Sequence, residues 1–256
     1  MGGTVGKPEK LIVNGKRLDG RKLDELRPIK IKAGIIPNAD GSALIEQGET
    51  RIMCAVYGPR ECLPKHLSEA DRAYLNCVYT MVSFSTPERA RPGPSRRSVE
   101  ISKVIKDCLS PAIFLERYPR TKIDVYMDVT NANAGTRCAA ICAAAVALAD
   151  AGIDMRDLVT AVASGKADGH LVLDMFELED NYGEADMPLA MMPRTSEITL
   201  LQMDGELDKT EIKKLIEMNI KACREIYELQ KSALREKYES EKNIESEEGE
   251  QNGTGN

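Results

Sequence analysis

Polar and apolar residues alternate through the first part of the chain, and this pattern predicts short β-strands. The alternation runs through residues 27–32, 43–46, 51–57 and 74–82. A period of two residues is typical of strands that bury one face. The first three of these segments are therefore predicted to form an antiparallel meander, and residues 74–82 are predicted to form another strand.

Apolar residues recur at helical spacing in three later segments. Residues 96–118 and 208–238 carry them along one side, which predicts amphipathic helices. Residues 138–151 are mainly Ala, Cys and Val on every side, so this helix is expected to be buried against a sheet, with Gly152 suited to its C-terminal cap. Cys138 and Cys142, four residues apart on it, are interpreted as small buried thiols rather than metal ligands.

Further strands are predicted at residues 122–130, 158–167, 170–178, 187–192 and 198–203. Two β-rich halves, each completed by helices, indicate an α+β fold (mixed α/β) with helices packed on mixed sheets. The domain is expected to span residues 11–239, with halves of about 11–153 and 154–239. Residues 1–10 are predicted to be a flexible arm, and residues 240–256, rich in Glu, Gly and Asn, a disordered acidic tail.

Composition narrows the classes of function. The chain has 256 residues, 42% of them hydrophobic, and a formal net charge of -6. This charge argues against a protein that coats nucleic acid through its overall field, so any site for a polyanion must be local. No apolar run approaches the roughly 20 residues needed to cross a bilayer. The seven cysteines include no Cys-x-x-Cys pair and fit free thiols, so a cytoplasmic protein with no membrane contact is expected.

The turn from Asn133 to Arg137 leads from a predicted strand into the Ala-rich helix. A helix N-terminus leaves backbone N–H groups free and carries partial positive charge, so a turn without bulky side chains can bind a phosphate there. Arg137 adds a planar, permanently charged guanidinium. An ordinary helix start is the alternative interpretation of the same residues.

Arg96 and Arg97 lie in the first turn of another predicted helix, after the plausible N-cap Ser95. Cations at this end of a helix oppose its dipole. An anion bound between this turn and the turn at Arg137 would account for their presence.

Carboxylates concentrate in residues 177–186, whereas the chain has only two histidines and lacks the common nucleotide-loop, hydrolase and zinc motifs. Asp180 is predicted at the end of one strand and Asp186 at the start of the next, so that both would lie at one end of a sheet. A solvated acidic loop is the alternative. Because Asp186 leads directly into an apolar strand, it is expected near the core, where an acid requires a metal, a cation or a proton.

Several motifs occur together in a characteristic order. They are Arg17-Leu18-Asp19-Gly20-Arg21, Tyr57-Gly58-Pro59-Arg60-Glu61, the run from Pro94 to Ser102, Ala134-Gly135-Thr136-Arg137, Gly165-Lys166-Ala167-Asp168-Gly169, and Glu179-Asp180 followed by Glu184-Ala185-Asp186-Met187-Pro188. Together they resemble the ribonuclease PH superfamily, and within it the catalytic ring subunits of archaeal exosomes. The resemblance covers about residues 10–238.

The resemblance implies 3′-to-5′ phosphorolysis of single-stranded RNA. Inorganic phosphate, the co-substrate, would attack the terminal phosphodiester and release a nucleoside diphosphate, and the reverse reaction would add 3′ tails. Gly135, Thr136 and Arg137 match the family's phosphate-binding turn. Arg96 and Arg97 match an arginine pair that grips the RNA backbone.

Asp180 and Asp186 match the family's acidic positions and are the expected catalytic residues and ligands of a divalent metal, with Mg²⁺ as the expected ion. Asp186 is the better candidate for binding the metal or for protonating the leaving 3′ oxygen, and the sequence leaves both roles open. Arg60, Lys65 and His66 match a loop that lines the opening through which RNA is threaded. Lys65 replaces an Arg common in relatives, which keeps the charge and loses the bidentate contact.

The resemblance also implies protein partners. These are a paralogous non-catalytic RNase PH-like subunit, in a hexameric ring of three heterodimers, and a trimeric cap of S1/KH-type RNA-binding proteins. A non-catalytic ring subunit and a stand-alone tRNA 3′-trimming phosphorolase are the alternatives. The presence of Arg137, Asp180 and Asp186 argues against the first, since scaffold subunits lose these residues.

Overall fold

A computed structural model describes the backbone of residues 8–13 and 15–252, and the side chains of the same residues as far as 239. The strands are β1 (Ile12–Val13), β2 (Lys16–Arg17), β3 (Ile29–Ala33), β4 (Gly41–Gln47), β5 (Thr50–Glu61), β6 (Tyr74–Met81), β7 (Thr121–Asn131), β8 (Thr160–Ala167), β9 (His170–Leu173), β10 (Ala185–Met192), β11 (Glu197–Leu201) and β12 (Asp204–Gly205). The α-helices are α1 (Arg96–Leu109), α2 (Thr136–Asp150), α3 (Glu177–Tyr182) and α4 (Lys209–Asn252).

The strands form two five-stranded sheets and a small β1–β2 hairpin. The N-terminal sheet has the order β3-β4-β5-β7-β6, in which only the β6–β7 pair is parallel. The C-terminal sheet has the antiparallel order β11-β10-β8-β9, with β12 paired to the start of β10. The predicted α+β fold of two β-rich halves with helices on mixed sheets is confirmed.

Helix α2 lies between the two sheets. Every residue of α2 except Arg137 and Ala149 is buried, and the helix contacts β4 and β5 on one side and β8 on the other. Its small side chains permit this close packing. The approach is tightest at Gly41, where an added Cβ would lie 2.2 Å from the backbone nitrogen of Ala151. The predicted burial of this helix is confirmed, and Gly152 follows it with a φ of 71°.

All seven cysteines are buried and free. Cys138 and Cys142 face the interior of the core from α2, which confirms their interpretation as buried thiols. Burial raises the pKa of the Cys77 and Cys223 thiols to about 12 and that of Cys108 to about 11. These thiols are therefore in the unreactive protonated form at neutral pH.

Helix α1 is shorter than predicted. It begins as expected after Ser95, whose hydroxyl accepts a hydrogen bond from the Ser98 backbone at 3.0 Å. It ends at Leu109 rather than near residue 118, because Pro111 has no backbone N–H to continue the helix. Two short 3-10 turns complete the connection to β7.

The acidic segment forms a helix where the sequence predicts a strand and a loop. Strand β9 ends at Leu173, and Asp174 adopts a left-handed backbone with a φ of 51° that breaks the strand. Glu177, Glu179 and Asp180 then form the first turn of α3, where acids complement the helix dipole. The prediction that Asp180 ends a strand is therefore wrong, whereas Asp186 does lie at the start of a strand, β10.

The structure describes the two terminal segments only in part. Helix α4 extends to Asn252, beyond the predicted end near residue 238 and through most of the segment predicted as a disordered tail. Its abundant Glu and Lys are favourable helix formers, and the segment contains no proline. Most of the predicted N-terminal arm lies outside the described residues, as do residues 253–256. Within the described part of the chain, no helix combines the length and hydropathy needed to cross a membrane.

Candidate active site

A cleft of about 200 Å³ opens where the N-terminus of α2 meets α1, α3 and β10. It brings together residues that the sequence places far apart. The predicted site residues that line it are Arg97, Gly135, Thr136, Arg137, Asp180 and Asp186. The cleft therefore combines two arginines and the N-terminus of α2 with two carboxylates.

The floor of the cleft is the turn that precedes α2. Ala134 and Gly135 both adopt left-handed backbones, with φ values of 53° and 64°. The hydroxyl of Thr50 holds the turn from below, since it donates to the carbonyls of Asn133 and Ala134 at 2.9 Å each. Arg27 also donates to the Asn133 carbonyl. This turn presents the first N–H groups of α2, which lack intrahelical partners, toward the cleft.

Thr136 is the first residue of α2, and a tyrosine contacts its hydroxyl. Tyr79 Oη donates to Thr136 Oγ1 at 2.8 Å from the end of β6. Burial raises the pKa of the Tyr79 phenol, which keeps it protonated, and the charges of Arg97 and Arg137 act in the opposite direction. Because the Thr136 oxygen accepts this bond, its own hydrogen can be donated toward the cleft.

Arg137 points its guanidinium into the cleft from the start of α2. Its Nη1 donates to Oε1 of Gln202, a residue in the connection between β11 and β12. Its Nε is buried without a hydrogen-bond partner among the described residues. A buried unpaired donor is costly, and a bound anion would satisfy it.

The two predicted RNA-binding arginines of α1 are placed differently. Arg97 lines the cleft, and its charge lowers the pKa of Asp180 against the effect of burial. Arg96 is exposed and does not line the cleft. Successive helical residues point about 100° apart, so the two side chains leave α1 in different directions.

Asp180 and Asp186 approach the cleft from two elements of the C-terminal half. Asp180 comes from α3, and Asp186 comes from β10, where it is paired in register with Gly165 of β8 and Asp204 of β12. Desolvation raises the pKa of both carboxyls. The neighbouring negative charge of Asp180 raises the pKa of Asp186 further, while Arg137 lowers it. A bound proton or a nearby cation would offset the cost of desolvating the charge on both carboxylates.

This pair of carboxylates fits a Mg²⁺ ion held jointly with a substrate. Mg²⁺ in such sites takes one or two carboxylates, with phosphate oxygens and water completing its shell. Among the residues that the structure describes, no cluster of three or more His, Cys, Asp or Glu side chains could hold a metal. The donor set of Asp180 and Asp186 therefore suits a metal bound together with phosphate rather than a permanent structural ion.

Arg60, Lys65 and His66 lie away from the cleft. Arg60 stands near the end of β5, where it pairs with Asp40 at 3.0 Å and stacks over Tyr57 with its Cζ 5.1 Å from the ring centroid. Lys65 and His66 belong to an exposed 3-10 turn, Lys65–Leu67. These three residues are therefore separate from the cleft.

Four residues that support the cleft are absent from the sequence predictions. Tyr79 contacts Thr136 and Gln202 contacts Arg137, and Arg27 and Asp174 form a buried pair beneath the turn that precedes α2. The predicted strands that contain them give no sign of a role in the cleft, since their contacts are with residues distant in sequence. Of the four, only Asp174 lies close in sequence to the predicted acidic segment, residues 177–186.

Comparison with known proteins places this cleft in a family. Residues 25–154 match the model of 3′ exoribonuclease family, domain 1, and residues 157–222 match domain 2 of the same family. The chain is 58% identical over 219 residues to the exosome complex component Rrp41 of Methanopyrus kandleri, covering 85% of this chain and 92% of that protein. It is 56% identical over 225 residues to the Rrp41 component of Thermococcus onnurineus, covering 87% and 90%.

Solved structures share the fold at lower identity. The crystal structure of rice (Oryza sativa) Rrp46 matches with a TM-score of 0.77 and 24% identity, over 86% of this chain and all of that chain. A chain of the Archaeoglobus fulgidus exosome with RNA bound to the active site matches with a TM-score of 0.72 and 24% identity, over 88% of this chain and 93% of that chain. The resemblance seen in the motifs is thus confirmed, and the chain belongs to the 3′ exoribonuclease family of the RNase PH type.

Proposed function

We propose that this chain is the catalytic subunit of an exosome ring, a 3′-to-5′ phosphorolytic exoribonuclease. It shortens single-stranded RNA with inorganic phosphate, releases nucleoside diphosphates and, in reverse, adds 3′ tails from them. The observation that carries the proposal is the convergence of the Gly135–Arg137 turn with Asp180 and Asp186 in one cleft. The identity to exosome Rrp41 components supports the assignment to the ring.

The chemical problem is to bring one phosphate onto another. The N–H groups at the start of α2, the Thr136 hydroxyl and the Arg137 guanidinium bind the attacking phosphate and neutralise its charge. Arg97 binds the terminal phosphodiester from the facing helix α1. Holding both anions in contact replaces an improbable encounter by a positioned one, and the fixed positive charges stabilise the charge that develops in the transition state.

The reaction then forms one bond and breaks one. An oxygen of inorganic phosphate attacks the terminal phosphorus, and the bond from that phosphorus to the 3′ oxygen of the preceding nucleotide breaks. The shortened RNA receives a proton on this 3′ oxygen, and the terminal nucleoside leaves as its diphosphate. Asp186, whose pKa is raised by desolvation and by the charge of Asp180, is suited to supply that proton.

Asp186 also suits a second role, with Asp180, as a ligand of Mg²⁺. When bound there, the ion would supply positive charge to the phosphate oxygens and the leaving group. In this role Asp180 and Asp186 would hold the ion beside the turn of residues 133–137, which we call the phosphate turn, and the proton would come from water. The dependence of turnover on divalent metal separates the two roles.

The remaining parts of the proposal concern the route of RNA and the assembly. Residues 60–66, which we call the threading loop, contribute Arg60, Lys65 and His66 to a basic opening through which single-stranded RNA reaches the cleft. The partner in the hexameric ring of three heterodimers is a paralogous non-catalytic RNase PH-like subunit, capped by a trimer of S1/KH-type RNA-binding proteins. Seven buried free thiols suit a reducing compartment and support a cytoplasmic location.

The test follows the length of 5′-labelled poly(A) with and without inorganic phosphate, with the chain alone and with candidate ring partners. We expect stepwise shortening that requires phosphate and yields nucleoside diphosphates. Shortening that ignores phosphate and yields monophosphates would contradict phosphorolysis. Inactivity with every partner would favour a non-catalytic ring subunit, and trimming restricted to tRNA 3′ ends by a homohexamer would favour a stand-alone phosphorolase.

A further inference from the structure

Arg27 is buried under the phosphate turn, where its guanidinium is paired with the carboxylate of Asp174. Arg27 is 6% exposed and its partner Asp174 is 2% exposed. Arg27 Nη2 donates to Asp174 Oδ1 at 2.7 Å, while its Nε and its backbone N–H both donate to Oδ2, at 3.1 and 2.8 Å. The fork of the guanidinium thus fixes its own orientation on the carboxylate.

The outer edge of the same guanidinium contacts the phosphate turn. Arg27 Nη1 donates to the carbonyl of Asn133, the residue before the left-handed pair Ala134 and Gly135. A Cβ added to Gly135 would lie 2.9 Å from Arg27 Nη2, so a side chain there would collide with the guanidinium. Left-handed backbones persist only where surrounding contacts determine them, and Arg27 supplies such a contact directly beneath the turn.

Asp174 extends the cluster toward the carboxylates of the cleft. Its backbone carbonyl accepts from Arg17 at 2.9 Å and from Arg21 at 3.1 Å. Arg17 also binds Glu179 of α3 in an ion pair with no exposed side-chain surface. The segment that leads into α3, and therefore Asp180, is held by the same buried cluster that supports the phosphate turn.

We infer that Arg27 and Asp174 are a positioning pair that sets the phosphate turn relative to α3, and so determines the affinity for the attacking phosphate. This inference rests on the proposed phosphorolytic function. Neither residue lines the cleft, so neither is a catalytic residue. The pair acts through the Asn133 carbonyl at one end and through the backbone of Asp174 at the other.

A pair that only stabilised the fold would behave differently, and the same helix offers a matched control. At the opposite end of α2, Asp150 is buried, pairs with Lys237 at 2.7 Å and accepts from the Ser42 backbone at 2.9 Å. Asp150→Asn therefore weakens a buried ion pair of α2 without touching the turn. Asp174→Asn weakens one that supports the turn.

The experiment compares Arg27→Lys, Asp174→Asn and Asp150→Asn in the full chain assembled with its ring partner. Rates of phosphorolysis are measured against phosphate concentration at saturating poly(A). For Arg27→Lys and Asp174→Asn we expect KM for phosphate to rise about tenfold or more, with KM for RNA unchanged, because a small displacement of a positioned group is costly. Asp150→Asn is expected to lower Tm and leave KM for phosphate as in the wild type.

A milder variant and a second readout cover the case in which the first two variants fail to fold. Gln47 donates to Asp174 Oδ1 at 2.8 Å, so Gln47→Met removes one bond of the cluster and should raise KM for phosphate severalfold. Inorganic phosphate should also raise the Tm of the wild type more than that of these variants. Folded variants with unchanged KM and an unchanged phosphate-induced shift would overturn the inference. A wild-type ring whose activity ignores phosphate would instead overturn the proposed function.

Discussion

Arg137 of α2 donates a hydrogen bond to the side-chain oxygen of Gln202, so a residue of the C-terminal half orients the arginine of the N-terminal half that we propose binds phosphate. Gln202 is itself fixed, because its backbone N–H donates to the Pro188 carbonyl at 3.1 Å. Asp186 lies two residues before Pro188 on β10. The orientation of Arg137 and the position of the carboxylate thus depend on the same short piece of sheet.

We predict that Gln202→Ala raises KM for phosphate about fivefold with a smaller effect on kcat. A hydrogen bond to a charged group contributes about 1.5–3 kcal/mol, part of which water replaces in the variant. Gln202→Glu keeps the size of the side chain and adds a negative charge beside Arg137, so it should raise KM for phosphate more than Gln202→Ala does. Initial rates against phosphate concentration give both values, and an equal effect of the two variants would contradict the electrostatic argument.

The two arginines of α1 are predicted to contribute unequally. Arg97 lines the cleft and Arg96 does not, so Arg97→Ala should lower kcat/KM for RNA about a hundredfold, whereas Arg96→Ala should lower it less than about tenfold. The pair is a matched comparison, since both residues are exposed arginines in the same helical turn. Phosphorolysis of a short oligoadenylate measures the difference. Equal losses would mean that RNA contacts α1 over both faces.

Asp186→Asn is predicted to abolish turnover and to raise stability at neutral pH, with ring assembly intact. The native pKa of Asp186 is raised above its ordinary value of 3.8, so the native state holds this proton to higher pH than the unfolded state does. The free energy of unfolding therefore falls as pH rises through that interval and stays lower at neutral pH. The uncharged Asn avoids this penalty.

Thermal unfolding at pH 7 and below pH 4 checks the sign. Asp186→Asn should raise Tm by a few degrees at pH 7, and the gain should vanish in acid.

Asp174 is the opposite case, because the charge and hydrogen bonds of Arg27 outweigh burial and lower its pKa. Asp174→Asn should therefore lower Tm at pH 7 and cost progressively less as pH falls through the native pKa. Full turnover of Asp186→Asn would remove Asp186 from the mechanism.

Removal of divalent metal is predicted to separate the two roles of Asp186. If Asp180 and Asp186 bind Mg²⁺ together with phosphate, EDTA should lower turnover at least about a hundredfold and Mg²⁺ should restore it. Mn²⁺, followed by its paramagnetic resonance, should bind the wild type when inorganic phosphate is present and should not bind Asp180→Asn or Asp186→Asn. Unchanged turnover in EDTA would assign Asp186 to proton transfer alone.

The sequence predicts the regular strands and helices of this molecule better than the segments that connect them. The β-strands of the N-terminal sheet and the buried helix α2 follow from periodicity, because each element buries a regular face. Helix α3 does not follow from periodicity. Residues 170–178 carry enough apolar residues to resemble one strand, which hides the end of β9 at Leu173 and the start of α3 at Glu177. The left-handed Asp174 that ends β9 is imposed by its buried pairing with Arg27, a residue 147 positions earlier in the chain.

The same distinction holds within the cleft. The motifs identify Gly135, Thr136, Arg137 and both aspartates, since their chemistry is visible in residue type and local context. They do not distinguish Arg96 from Arg97, because the direction of each side chain depends on how α1 packs on β6 and α2. Arg27, Tyr79 and Gln202 act through contacts that only the folded chain creates.

The seven buried thiols can report local unfolding of the elements that contain them. Burial protects them from electrophiles in the folded state, and they are distributed over β5, β6, α1, α2 and α4 as well as the loop at Cys62. A thiol-reactive dye would therefore label a cysteine only when the element that contains it opens. Mass spectrometry of the labelled peptide would identify that element. Variants of the cleft can thus be ranked by local opening as well as by catalysis.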